Sequence, residues 1–342
     1  MQPYTPGEQP RGNELIKLNT NENPYPPPPA VVDAIAKAAS GPLNRYPHPM
    51  AQPFRMAAAE ALGLPGPDWI LAGNGSDEIL TMLVRSFVGE GEHLRLPFPS
   101  YILYRTLADI QGARWEEVAF QADWSLPAAF SQNDEHLRLV LLPNPNSPSG
   151  TMIEPDDVQQ IADRLDCPLV VDEAYADFAE NHCIDLVRRS ERVLVTRTLS
   201  KSYALAGLRF GYLIAQPQVI TEIAKIKDSY NCDMISIAAA TAAIQSGAWL
   251  AETRQKMIAT RQRMSSRLSQ LGFNVTPSQA NFVWCRHPGG NHQAIYEHCK
   301  AGGYLIRYMN YPGYGDGLRI SVGTDEQVDA CLDLIHQRLL TS

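Results

Sequence analysis

Short apolar runs that alternate with helical stretches restrict this chain to a mostly parallel β-sheet covered by helices on both faces. The runs RLVLLPN (138–144), PLVVDEAY (168–175), RVLVTRTLS (192–200) and RFGYLIA (209–215) lie between polar boundaries, as buried strands do. Helical periodicity recurs in AVVDAIAKAAS, RMAAAEALGL, SDEILTMLVRSFVG and YILYRTLADIQGA, each closed by glycine or a turn. Ligands of such α/β sheets collect beyond the carboxyl ends of the strands. The polar residues of interest are therefore those where a strand stops: Asn144, Asp172, Thr198, Ser200 and Lys201.

The flanks read differently. NTNENPYPPPP (19–29) is too proline-rich for a helix interior and reads as an ordered arm. From about Pro217 the pattern is helical, through ITEIAKIKDSYN, SIAAATAAIQSGAWL and the long polar AETRQKMIATRQRMSSRLSQLG. An α+β layer follows: strand NFVWCR, helix QAIYEHCKAGG, strands YLIRYM and LRISVG, and helix DEQVDACLDLIHQRLL. The expected organisation is an arm and part of a small domain over residues 1–40, a large domain over 41–250, and the rest of the small domain over 251–342.

Composition narrows the function. The balance of 37 acidic against 29 basic residues, with no basic stretch, argues against a nucleic-acid binder, so any anionic ligand must be held locally. Six scattered cysteines without a C-x-x-C pair, and no charged-then-apolar leader, predict reduced thiols and a cytoplasmic protein. No apolar run approaches the length of a membrane span.

Lys201 follows a strand whose residues should be buried, so it is either a snorkelling cation or an amine whose pKa desolvation has lowered. In VVDEAYADF, Asp172 and Glu173 end a strand, and alternation turns one into the cleft and the other away. The 29 residues from Asp172 to Lys201 suit a strand, a helical connection and a neighbouring parallel strand. A carboxylate, the Tyr175 phenol and an amine then meet at adjacent strand ends, the groups that pyridoxal chemistry uses on a ring nitrogen, a ring oxygen and an imine. AGNGSDEILTML sets glycines and Ser76-Asp77 at a helix start, where the backbone either receives a phosphate or is capped by one of these side chains.

LNTNENP, NRYPHP, GNGSDE, PFPSYILY, NPNSPSG, VVDEAYADF, TLSKSYALAGLRFGY, ANFVW and LRISVGT, in this order, resemble the fold-type-I aminotransferases and, within them, the histidinol-phosphate aminotransferases. The resemblance implies an α/β fold with a mostly parallel central sheet, a smaller α+β domain built from the arm and the C-terminal segment, pyridoxal 5'-phosphate as cofactor, and a homodimer. It implies that Lys201 carries the cofactor as a Schiff base and moves the substrate's α-proton, that Asp172 meets the pyridine nitrogen, that Tyr175 meets the ring oxygen and that Tyr101 stacks on the ring. The cofactor phosphate would be held by Ser76 and Asp77 N–H groups, Thr198, Ser200 and Arg209, with Tyr46 reaching it from the neighbouring subunit. Arg319 resembles the clamp for a substrate carboxylate. The chain departs from its relatives at Ser147, where asparagine is usual. Either Ser147 or Asn146 substitutes there, Asn146 being preferred, or Tyr175 acts alone. Asn144-Pro145 and Ser147-Pro148 are candidate cis peptides.

The expected activity is transfer of an amino group between L-histidinol phosphate and 2-oxoglutarate, with no nucleic-acid or membrane partner and no metal. Arg307, Tyr230 with Asn231, and Asn23 in the arm are the candidates for recognising a phosphorylated substrate, each with an ordinary structural alternative. A threonine-phosphate decarboxylase and an aromatic-amino-acid transaminase share nearly all these motifs. A non-enzymatic regulatory or binding domain on the same fold would be expected to lack the lysine or to carry an attached DNA-binding segment.

Overall fold

The computed structural model describes residues 7–9 and 15–341, so positions 1–6 and 10–14 of the expected arm lie outside the described residues. β1 (Ile16–Lys17) belongs to that arm. β2 (Ile70–Gly73), β3 (His93–Phe98), β4 (Arg114–Ala119), β5 (Leu137–Pro143), β6 (Leu169–Asp172), β7 (Val193–Thr198) and β8 (Gly211–Ile214) form a seven-stranded sheet in the order β2-β8-β7-β6-β5-β3-β4. β8 runs antiparallel to β2 and β7, whereas the pairs among β3, β4, β5, β6 and β7 are parallel. β9 (Asn274–Val275), β10 (Phe282–Arg286), β11 (Tyr304–Leu305), β12 (Arg307–Tyr311) and β13 (Gly315–Ser321) follow. β12-β13-β10-β9 make an antiparallel sheet, and β11 pairs in parallel with β1, which joins the arm to the C-terminal part.

Side-chain alternation explains why the central strands read as unbroken apolar runs. Val140, Leu142, Leu169, Val171, Val193 and Val195 enter one core, while Leu139, Leu141, Val170 and Leu194 enter the core on the opposite face. Each such fully buried side chain contributes about 1.5–3 kcal/mol. A third core joins Leu18 of the arm and Phe178 to Met257, Met264 and Leu268 of the helix Gly247–Gln270 and to Val283, Leu318 and Ile320 of the small sheet. The final helix, Asp325–Leu340, starts with a capping box: Thr324 Oγ1 accepts from the Gln327 backbone, and Gln327 Oε1 accepts from the Thr324 backbone. Among the described residues no single helix is long and apolar enough to cross a membrane.

Five strands are additional to the sequence reading: β1, β2, β3, β4 and β9. β4 is a sheet edge whose Arg114, Trp115 and Glu116 are exposed, so no apolar run marks it. YLIRYM divides at Ile306 into β11 and β12 because the two halves pair with different strands. Both candidate peptides, and also Phe98-Pro99, are cis.

At the end of β6 alternation separates two carboxylates. Asp172 turns toward the cleft, while Glu173 is buried on the other side against Arg197, whose Nε donates to Glu173 Oε2 at 2.8 Å. Arg197 Nη1 also meets Asp177 at 2.6 Å, and Asp177 accepts from the Ser202 hydroxyl beside Lys201. Removing one member of a buried ion cluster leaves an uncompensated charge. Arg197→Leu should therefore lower the unfolding free energy by about 3–5 kcal/mol, read from chemical denaturation. A loss below about 1 kcal/mol would show that this cluster adds no net stability.

Candidate active site

One cavity lies at the carboxyl ends of β5, β6 and β7 and is covered by the arm and by β12 and β13. Its wall holds Ser76, Asp77, Tyr101, Asp172, Tyr175, Thr198, Ser200, Lys201, Arg209, Arg307 and Arg319, so residues 76 to 319 converge as the sequence motifs require.

Lys201 Nζ donates to the backbone carbonyl of Thr20 at 3.0 Å. Burial, reinforced by Arg319 and Arg209, brings its pKa down to about 8. An appreciable fraction of neutral amine is thus present near neutrality, as a nucleophile requires. Asp172 is 5% exposed and receives the Tyr104 hydroxyl on Oδ2 at 2.8 Å and the Thr196 hydroxyl on Oδ1 at 3.0 Å. Burial raises it to about 6 against the lowering effect of those two bonds. Tyr175 packs edge-on against Phe282, with ring centroids 5.0 Å apart, and its hydroxyl oxygen accepts from Asn21 Nδ2 at 2.9 Å. Burial raises the Tyr175 pKa, which keeps the phenol a donor.

A second group of residues forms an anion cradle. The helix Ser76–Phe87 begins after Gly75 with no side chain capping its first turn, so neither Ser76 nor Asp77 is the cap. Gly75 has φ +82°, and a Cβ there would lie 2.7 Å from Arg209 Nη2. A Cβ on Gly211 would lie 2.4 Å from the Ser76 nitrogen, so β8 reaches the helix start only as glycine. Arg209 donates to Ser200 Oγ at 3.3 Å and to Asp77 Oδ2 at 3.4 Å. Thr198 Oγ1 accepts from the Ser200 backbone at 3.2 Å. A helix N-terminus, two hydroxyls and a guanidinium together suit a phosphate. Tyr101 closes this side, its hydroxyl 3.3 Å from Asp77 Oδ1.

The small sheet contributes two arginines. Arg307 and Arg319 are direct cross-strand partners in the β12–β13 ladder, and both reach the cavity. Arg319 donates to Ser147 Oγ and to the Asn19 carbonyl, each at 2.9 Å, and lies over the Phe282 ring. Like charges directly opposite each other destabilise a ladder, so this rung favours an anionic ligand.

Five expected residues stand apart from the cavity of their own chain. Asn146 is buried with its Nδ2 spent on Pro99 O and Ser149 Oγ, whereas Ser147 lines the cavity. Asn23 donates to the Ser202 carbonyl at 2.9 Å and so braces the lysine turn from behind instead of facing a substrate. Tyr46 and Tyr230 stack on each other with centroids 4.3 Å apart and are 77% and 45% exposed, away from the cavity. Asn231 is held by Glu78 Oε2 at 2.8 Å. Sequence reasoning missed Asn21, Thr196 and Tyr104. The last had a signal, since it lies one helical turn beyond Tyr101 in PSYILY.

The pattern of the aminotransferase class I and II family matches residues 13–335. A histidinol-phosphate aminotransferase of Rhodopirellula baltica is 66% identical over 339 residues, covering 99% of this chain and 94% of that protein. Histidinol-phosphate aminotransferase 1 of Trichormus variabilis is 44% identical, covering 98% and 97% respectively. The crystal structure of histidinol-phosphate aminotransferase from Sinorhizobium meliloti in complex with pyridoxal-5'-phosphate superposes with a TM-score of 0.86 at 27% identity, covering 95% of this chain and 90% of that one. The chain belongs to the class I and II aminotransferases.

Proposed function

We propose that this protein is a pyridoxal-phosphate-dependent histidinol-phosphate aminotransferase that converts L-histidinol phosphate and 2-oxoglutarate to imidazole-acetol phosphate and L-glutamate, reversibly. The observation that carries the reading is the presence, on one cavity wall, of a buried carboxylate without a cation and a buried amine without an anion, since neither Asp172 nor Lys201 has an ion-pair partner among the described residues. These residues fit the cofactor: Asp172 suits a protonated ring nitrogen, Lys201 an aldehyde carbon, and the glycine-framed cradle a phosphate. Pyridoxal phosphate, when bound, supplies the electrophilic carbonyl and the electron-accepting ring on which amino transfer depends.

The chain's own residues would divide the remaining work. Lys201 would hold the cofactor covalently, and its Nζ would take up and give back the substrate's α-proton. Asp172 would hold charge toward the ring nitrogen, Tyr175 would donate to the ring oxygen, and Tyr101 would cover the ring face. Ser76, Asp77, Thr198, Ser200 and Arg209 hold the cofactor phosphate, while Ser147 helps to fix Arg319. Arg319 meets the glutamate carboxylate and Arg307 the distal phosphate of the amino alcohol.

The homodimer belongs to the same proposal. The Tyr46–Tyr230 stack beside the apolar groove of Ala34, Pro47, Pro53 and Ile237 is the face offered to a second copy, whose cavity these tyrosines would complete. Six buried free thiols fit a cytoplasmic setting.

Lys201→Ala should abolish transamination and leave the fold intact, and borohydride should fix the cofactor to the Lys201 peptide of the wild type. Fixation at another lysine would end this assignment. Because the neutral amine is the nucleophile, covalent capture of cofactor by the apoprotein should accelerate as pH rises through about 8 and then level off. A rate still climbing toward the ordinary lysine pKa near 10.4 would contradict the desolvated amine.

Arg307→Ala should slow the histidinol-phosphate half-reaction by roughly tenfold to a hundredfold or more, the cost of a lost charge-assisted contact, and affect phenylalanine far less. Equal slowing of both substrates would favour an aromatic-amino-acid transaminase. Mixing inactive Lys201→Ala with an inactive Tyr46 variant should restore part of the activity through hybrid sites. Subunit exchange without recovery would remove Tyr46 from the partner's site.

A further inference from the structure

Tyr175, on the cavity wall, accepts a hydrogen bond from the arm. The donor, Asn21, is 1% exposed and has φ +56°, a left-handed conformation that an asparagine occupies more readily than most residues. Three bonds hold it to the small sheet. Its backbone N–H donates to Ser321 Oγ at 2.9 Å, Ser321 Oγ donates to Asn21 Oδ1 at 2.9 Å, and Asn281 Nδ2 donates to the Asn21 carbonyl at 2.9 Å.

These contacts determine which way the amide faces. A backbone N–H cannot be exchanged for an acceptor, so Ser321 Oγ must accept from it and has its single proton left to give. The acceptor within reach is Asn21 Oδ1, which leaves Nδ2 toward Tyr175. With the amide reversed, Ser321 would face two N–H donors and its own proton would have no acceptor.

We propose that Asn21 is a positioning residue that fixes the hydrogen-bond polarity of Tyr175, occupying the phenol oxygen from behind so that its proton is directed into the cavity. The proposal rests on the pyridoxal-phosphate reading given above. It assigns Tyr175 an obligatory donor role toward the cofactor's ring oxygen. Ser147, the other side chain weighed for that oxygen, accepts from Arg319 and keeps its own proton to give, while Asn146 is turned to Pro99 and Ser149. The Asn21 bond also lowers the Tyr175 pKa against the larger effect of burial, which makes the phenol a stronger donor. The charged groups around Tyr175 are Arg319 from β13, Lys201 with Nζ 5.8 Å from the ring centroid, and Asp172 and Asp77 across the cavity. Because Asn21 is anchored to Ser321 and Asn281, the direction of this proton depends on how the small sheet is seated over the large one.

Asn21→Asp is the decisive variant. It keeps an acceptor for Ser321 and presents a second acceptor to Tyr175, so the phenol proton turns back to residue 21 and away from the cavity. Asn21→Gly keeps the left-handed backbone without strain and deletes the donor without adding charge. The readout on cofactor-loaded protein is the pH midpoint of the bound cofactor's visible absorption band. A donor to the ring oxygen favours its ionised form, so losing the donor raises the midpoint. Tyr175→Phe should raise it by about one pH unit, about tenfold in the proton equilibrium. Asn21→Asp should raise it comparably and Asn21→Gly by less. In the Tyr175→Phe background both Asn21 changes should add nothing further. Should Asn21→Asp fail to fold, as judged by loss of cooperative melting, Ser321→Ala frees the amide to rotate and should move the midpoint in the same direction. A wild-type midpoint in the variant that folds, or a shift that adds in full to that of Tyr175→Phe, would overturn the proposal. Absence of any visible band in the loaded wild type would instead defeat the cofactor reading itself.

Discussion

The pairing of Arg197 with Glu173 and Asp177 is the interaction on which the site's geometry depends. Charges buried this deeply, with the Arg197 side chain 4% and the Glu173 side chain 0% exposed, persist only when matched. Their match spans neighbouring strands, since Glu173 directly follows β6 and Arg197 lies within β7. The cluster stands behind the cavity. By holding the even-odd alternation of both strand ends, it turns Asp172 and Thr198 forward, and through Asp177 and Ser202 it fixes the turn that carries Lys201. The cavity face is thus organised by residues that do not line it.

The arm completes the cavity from the opposite side, largely with its backbone. The carbonyls of Asn19, Thr20 and Asn21 receive Arg319, Lys201 and Asn281. Its parallel pairing with β11 and the burial of Leu18 in the third core locate those carbonyls. A short proline-rich segment therefore connects the lysine of one sheet to the arginine of the other.

The parts of this arrangement visible in the sequence are those in which a physical demand shows as a residue type. β5 to β8 are buried on both faces and announce themselves as apolar runs, so the strand ends bearing Asp172, Thr198 and Lys201 were legible. β4, an edge strand facing water, was not. The same distinction applies in the cavity. Lys201, Asp172 and Arg209 are costly residues beside buried strands and attract attention. Asn21, Thr196 and Tyr104 are polar residues whose meaning is a partner far away in the chain, 154, 24 and 68 positions off for the bonds they make to Tyr175 and Asp172. Asn146, weighed for the ring oxygen on the resemblance alone, has its Nδ2 on Pro99 and Ser149, partners that no residue type announces.

The shared rung of Arg307 and Arg319 has a consequence for how this protein can vary. The spacing between the two guanidinium carriers is set by a β-ladder, and the connection between their strands is only Pro312-Gly313-Tyr314. Where gain or loss of one residue in that turn slips the register, the slip sends every side chain of the moving strand to the opposite face. Surface turns ordinarily tolerate changes of length. Here length is tied to charge geometry, so descendants of this chain can explore new substrates by exchanging side chains on the hairpin, while insertions and deletions in it are closed to them.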